Sequence, residues 1–249
     1  MAPSASWLMA LAAVALLVLS GCADSTQRKS ERAELQAKRR VASREAQRVV
    51  RRSPDVHVTG VALVRDRRSS AIVVDLQSNA SRPLTDVPIA VGVVGSGGRR
   101  RPLNARPGLA WFQTHVPAIA AHGRTTWVFR TRRGARAHGH PYATAGALPQ
   151  PALSSARSLP AIEASPAGAA GRTARARVEN ASGVPQSGLQ VVAVERSGGR
   201  YVAAGRAALA TLAPGASATV RVRLTGRPSG RAGRDARGLS FLVTPTIFE

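Results

Sequence analysis

One cysteine, Cys22, occurs in 249 residues, aromatic side chains make up only 4 % of the chain, and 13 acidic residues face 36 basic ones. Each scarcity excludes something. A lone thiol cannot close a disulfide within the chain, so stability must come from packing. Few aromatics means that any core is built mostly from Val, Ala and Leu. Histidine is also sparse: five are present, and none follows His140. A zinc site needs three or four ligands, and His138 and His140, two residues apart, supply only half of one. The sequence Gly-x-Ser-x-Gly is absent, and the acids of residues 54–150 (Asp55, Asp66, Asp75, Asp86) are scattered rather than paired. Hydrolysis by an activated nucleophile or by two facing carboxylates is therefore unsupported, and no enzyme activity is expected.

What is present is positive charge, +23 in all and almost entirely arginine. Residues 22–53 carry net +6, residues 54–150 net +9 and residues 151–249 net +8, so no one segment holds it. Such a chain is attracted to polyanions of any kind. Arg99, Arg100 and Arg101 form one cluster, and Arg130, Arg132 and Arg133 another. Both are predicted in loops and are candidate contacts for an acidic polymer, with loop solubility the plainer explanation. Arg65, Arg67 and Arg68 form a third group. No aromatic is interleaved with these arginines, which disfavours stacking of single-stranded nucleic acid.

Residues 7–19 (Trp7 to Leu19) are continuously apolar. Thirteen residues fall short of the ~20 that span a bilayer and match the apolar region of a cleavable leader. Leu19-Ser20-Gly21-Cys22 follows: an aliphatic residue, two small ones and the thiol. This run resembles the lipobox of bacterial lipoproteins. The resemblance implies a signal peptide over 1–21, a covalent lipid on Cys22, attachment to a membrane outside the cytoplasm and no other cofactor or metal. The segment before the apolar run, Met1 to Ser6, departs from the pattern in having no Lys or Arg. Residues 22–53 then read as a basic stalk, helical from about 30 to 51 or disordered, with Glu31 and Glu34 in the first turn of such a helix.

The remainder repeats itself. Asn79-Ala80-Ser81 and Asn180-Ala181-Ser182 lie 101 residues apart, as do Ser96-Gly97-Gly98-Arg99 and Ser197-Gly198-Gly199-Arg200. Residues 119–129 parallel 212–222, and 139–142 parallel 238–241. Ala174 to Val178 and Val220 to Leu224 alternate apolar residues with arginine, the period of a strand with one face wet. Turn-formers separate short strands, and the expected fold is all-β: two sandwiches, residues 54–150 and 151–249, with Trp111, Trp127, Phe129, Tyr142 and Phe241 anchoring the cores. Leu212-Ala213-Pro214-Gly215 leading to Thr219-Val220 resembles the CARDB-type immunoglobulin-like domains of bacterial surface proteins. Ala121-His122-Gly123 departs from that pattern in the first copy. The resemblance implies tandem immunoglobulin-like modules of adhesive or spacer type. Gly92 to Gly98 could suggest a phosphate loop, but Arg99-Arg100-Arg101-Pro102 opens no helix, and a hairpin turn is expected instead.

The expected function is thus a non-enzymatic, membrane-anchored envelope lipoprotein acting as a binding or scaffolding module. Its partners would be an envelope protein or an acidic surface polymer, with nucleic acid disfavoured by the compartment. A basic nucleic-acid-binding protein and an accessory subunit of an envelope enzyme are the alternatives.

Overall fold

Strands form wherever the chain alternates or runs apolar between glycine- and proline-bearing turns. The computed structural model describes residues 48–67, 69–131, 139–148, 158–228 and 238–246. The expected leader, Cys22, most of the expected stalk, Arg68, Arg132, Arg133, His138 and the segment 149–157 lie outside the described residues. The protein is all-β. Its strands are β1 (Val56–Arg65), β2 (Ser70–Ser78), β3 (Leu84–Val94), β4 (Arg100–Pro102), β5 (His115–Ile119), β6 (Arg124–Thr131), β7 (His140–Ala145), β8 (Ile162–Ala170), β9 (Thr173–Asn180), β10 (Gln186–Ser197), β11 (Arg200–Leu212), β12 (Ser217–Gly226) and β13 (Leu239–Thr244). One 3-10 turn, Trp111–Gln113, is the only helical element among the described residues. The last stalk residues already belong to the sheet: Ser53 donates its N–H to the Ala145 carbonyl, and Arg52 bridges Gly146.

The N-terminal half pairs β1-β2-β6 in one sheet, while β3 pairs with β4, β5 and β7 in another. The C-terminal half pairs β8-β9-β12 and β13-β10-β11 in the same manner, and β12 crosses from β9 to β11 at its end. All pairings are antiparallel. The two halves therefore match strand for strand, with the short β4 and β5 standing where the continuous β11 runs in the second copy. Asn104 fills the break between them. Its amide accepts from Val91 N–H at 2.9 Å and donates to the Ile89 carbonyl at 2.7 Å, so the edge of β3 stays satisfied.

Register corrects the repeat by one residue. Ile72, Val74 and Leu76 of β2 point into the first core, and Ala174, Ala176 and Val178 of β9 into the second. These sets are 102 residues apart. A spacing of 101 would turn every side chain of the strand to the opposite face, because the period of a strand is two. Ser78, rather than Asn79, thus occupies the place of Asn180. Both are buried, and both side chains accept the N–H two residues on, from Ala80 and Ser182. The same offset brings Asp86 against Gly188. Each is skipped in the ladder to the next strand, with the register unchanged on either side, and each has positive φ, 57° and 67°.

Trp127 and Phe129 are buried in the first core, as expected of anchors, and Phe241 packs at the edge of the second. Trp111 and Tyr142 do not belong to the buried core. Trp111 stacks on His115, and Tyr142 lies beneath Arg100, with ring centroid to guanidinium 5.0 Å.

A third apolar cluster joins the halves. Val64, Ala71, Val73 and Val128 from the outer face of β1-β2-β6 meet Val192, Val194 and Ala204 from the outer face of β10 and β11. Val73 and Val128 are fully buried, and burying a Val side chain contributes about 1.5–3 kcal/mol. Residues 43–249 accordingly form one compact unit. Gly226 sits in this seam with φ 97°. A Cβ there would stand 2.2 Å from the Val202 carbonyl oxygen and 2.6 Å from the Val64 methyl, so the approach demands glycine.

The turn before β6 and its counterpart before β12 test the repeat directly. Each closes with an i+3 N–H to the carbonyl of Ala120 or Ala213. Pro214-Gly215 suits the two central positions, whereas the first copy forces His122 to φ 49°. His122→Gly is expected to stabilise the protein by about 0.5–1 kcal/mol and Gly215→His to destabilise it similarly. Thermal unfolding should show the midpoints moving in opposite directions by roughly 1–4 °C.

Candidate functional site

Arginines dominate the exposed surface, and their placement divides the candidate residues. Arg99, Arg100 and Arg101 lie at and after the β3–β4 reversal, where Gly95 N–H donates to the Arg99 carbonyl and Val94 pairs with Arg100. The glycine run is thus a hairpin that leads into a strand. All three arginines are exposed, and Arg100 lies over the Tyr142 ring. Burial raises the Tyr142 phenol above its ordinary range, against the lowering pull of Arg100. Loops were expected for all the basic clusters. Arg99 and Arg67 fit, but Arg65, Arg100, Arg101 and Arg130 are strand residues.

Arg130 stands apart from the hairpin. It projects from β6 into the seam, half-buried, and its Nε donates to Thr225 Oγ1 at 3.2 Å. Arg206 of β11 faces it. Arg206 covers the Phe112 ring at 4.5 Å and donates to the Phe112 carbonyl at 2.8 Å. Desolvation, with Arg130 nearby, pushes the Arg206 guanidinium down to about 10, which still leaves it charged at neutral pH. Arg130 is therefore part of the contact between the halves, whereas Arg99, Arg100 and Arg101 are exposed at the hairpin. Cys22, Arg132 and Arg133 lie outside the described residues.

The carboxylates, which the sequence reading left scattered, act at the seam. Asp75 on the outer face of β2 accepts from Thr126 Oγ1 at 2.7 Å, from the Tyr201 hydroxyl at 2.6 Å and from Arg196 at 2.9 Å. Arg196 also contacts the Tyr201 hydroxyl and lies over its ring at 4.2 Å. Burial, then the bond to Asp75, raises the Tyr201 phenol. Asp66 serves the other end. It accepts from Ser69 Oγ at 2.9 Å and pairs with Arg172, while Ser69 Oγ meets Thr225 Oγ1 at 2.9 Å. Between the halves opens a cleft of about 1270 Å³ whose wall includes Arg65, Arg67, Arg172 and Arg227. No sequence signal marked Asp75 and Asp66 as partners of residues more than 100 positions away, because the packing of two sheets alone brings them together.

Guanidinium groups of this kind can hold phosphate or carboxylate through paired N–H donors. No group of three or more His, Cys, Asp or Glu residues that could hold a metal ion occurs among the described residues. No helix among them is long and apolar enough to cross a membrane.

No protein-family model matches the chain, and no curated protein matches it. Solved structures similar to it include red sea bream transglutaminase, at 10 % identity and a TM-score of 0.22 over 76 % of this chain. Another is the C-terminal globular domain of an oligosaccharyltransferase from Pyrococcus abyssi, at 7 % identity and a TM-score of 0.23 over 77 % of it. The chain spans 31 % and 46 % of the length of those two proteins.

Asp75→Ala is expected to destabilise the protein by about 1–2 kcal/mol in urea unfolding, since three donors lose a partly exposed charged acceptor. Tyr201 gives a pH signature. An acid whose folded pKa is raised contributes stability that is complete below its unfolded value near 10 and is lost as pH climbs through the folded value. Tyr201→Phe should therefore lose less stability than the parent between pH 9 and pH 11, followed by thermal unfolding. Arg206 acts in the opposite sense over that range but is common to both proteins, as is Tyr142, so their difference isolates Tyr201.

Proposed function

We propose that this protein is a non-enzymatic envelope lipoprotein, lipid-anchored through Cys22, whose two immunoglobulin-like sandwiches form a module that binds or scaffolds outside the cytoplasm. On this reading residues 1–21 are the leader, 22–53 the stalk, and 54–150 and 151–249 the two sandwiches. Its partner is an acidic surface polymer or an envelope protein that presents one. The exposed hairpin Arg99-Arg100-Arg101 makes the contact, together with Arg132 and Arg133. Arg130 belongs to the scaffold that carries them.

The observation that carries the reading is how charge is divided. Asp66 and Asp75, two of the described carboxylates, are occupied in joining the halves. Arg67, Arg99, Arg100 and Arg227 face solvent. A surface of that kind supports recognition of polyanions and gives no means of activating a nucleophile. The lipobox resemblance of Leu19-Ser20-Gly21-Cys22 supports the anchor.

Two measurements test it. Cys22→Ser should abolish incorporation of labelled fatty acid and move the protein out of the membrane fraction. An intact leader with an unmodified sulfur in cell-derived parent protein would end the proposal. Binding of the full-length protein to an acidic polymer such as heparin should weaken at least tenfold between 50 and 200 mM salt. Substituting Arg99, Arg100 and Arg101 by Gln together should reduce it. Absence of any binding at low salt removes the polymer as partner.

A further inference from the structure

The exposed face of β9 and β12 carries four arginines that neither the hairpin nor the seam uses. Ala174, Ala176 and Val178 point into the core, so Arg175 and Arg177 point outward; Val220 and Val222 do the same for Arg221 and Arg223. Pairing of β9 with β12 places Arg175 directly opposite Arg221, Arg177 opposite Thr219 and Arg223 opposite Thr173. All four arginines are exposed, and none has a hydrogen-bond or ion-pair partner among the described residues.

That arrangement is unfavourable by itself. Residues directly opposite in an antiparallel pair have Cβ atoms about 4.5–5.5 Å apart, and like charges there repel. The carboxylates of the same face, Glu163 and Glu179, pair with each other's positions at its far end, beyond Arg177. The arginines therefore make a one-sign stripe, repeating every ~6.7 Å along each strand and ~4.8 Å across. It does not stop at the end of the strands. The Leu224 N–H donates to the Arg172 carbonyl, and Arg227 lines the wall of the cleft between the halves beside Arg172, whose charge pairs with Asp66.

Resting on the reading of the protein as a polyanion-binding module, we infer that the β9–β12 face is its main polyanion track. The ligand is a linear polymer with phosphate groups in its backbone, lying along the strands toward the cleft. Charge complementarity picks the ligand class. The outward side chains of the face are Arg, Thr, Ser and Glu, with no aromatic platform on which sugar rings or bases could stack. Recognition must then act on the backbone charge. Phosphate offers each guanidinium a two-pronged contact, and the hydroxyls of Thr219 and Thr173 stand between the arginines as further donors. A polymer bound there also relieves the Arg175–Arg221 repulsion.

The experiment uses the full-length protein and inorganic polyphosphate, with affinity followed by fluorescence anisotropy across a salt series. Four neutralised phosphates predict a slope of log K against log salt near −3, from ~0.7 per contact on a flexible strand. The double variant Arg175→Gln/Arg221→Gln should lower affinity at least tenfold and flatten the slope by about 1.4. Its unfolding midpoint should be no lower than that of the parent, because repulsion is removed; this separates lost binding from lost folding. The triple Gln variant of Arg99, Arg100 and Arg101 should lower polyphosphate affinity less than Arg175→Gln/Arg221→Gln does. Binding abolished by the hairpin variant and untouched by Arg175→Gln/Arg221→Gln would overturn the track and leave the module reading intact. No binding to polyphosphate or heparin at low salt would overturn both. Tighter binding to heparin, a sulfated polymer, than to polyphosphate of equal charge would overturn the ligand class.

Discussion

The structure depends on the burial of both faces of one sheet. β1-β2-β6 covers the first core with one face and meets the second sandwich with the other. Sheets covered on both sides need apolar residues at successive positions, whereas a sheet with a wet face alternates. β2 reads Ala71-Ile72-Val73-Val74, and β10 reads Val191-Val192-Ala193-Val194, each buried throughout. β9 and β12 alternate with arginine, and their outer face is exposed. The contrast between a continuous run and an alternating one thus encodes which faces dock and which remain in water.

Once the apolar seam of Val64, Ala71, Val73 and Val128 against Val192, Val194 and Ala204 forms, polar groups gather at its borders. Asp75 holds Thr126, Tyr201 and Arg196 on one side, and Asp66 holds Ser69 and Arg172 on the other. These carboxylates sit where arginines from the opposite half arrive, so part of the excess positive charge is neutralised inside the assembly. Arg206 is held differently: its desolvated guanidinium rests on the Phe112 ring and donates to the Phe112 carbonyl, while the nearby Arg130 donates to Thr225. Arg99, Arg100, Arg175, Arg177, Arg221 and Arg223 face outward.

Duplication organises all of this. The strand-for-strand match of the halves extends to a positive-φ position, a buried turn-former and a two-residue turn, and the differences are informative. Where the second copy has glycine at positive φ, the first has Asp86 and His122. Where the second runs one long β11, the first breaks it into β4 and β5 and repairs the edge with Asn104. The outer faces diverge most. The first copy presents valines to the seam from β2 and β6, and the second presents arginines to solvent from the corresponding β9 and β12.

The sequence by itself determined that the chain is β-rich, that it repeats, where most turns fall and which strands have a wet face, because each of these is written in local periodicity and turn chemistry. It placed the repeat one residue out of register, since identical turn residues outweighed the faces of the strands in a linear comparison. Only the tertiary structure decided that Arg130 is internal while Arg175 and Arg221 stand side by side on the surface, and that Asp75 and Asp66 join the halves. Those facts depend on which sheet packs against which. That choice is made by contacts between residues more than 100 positions apart, and no local pattern specifies them.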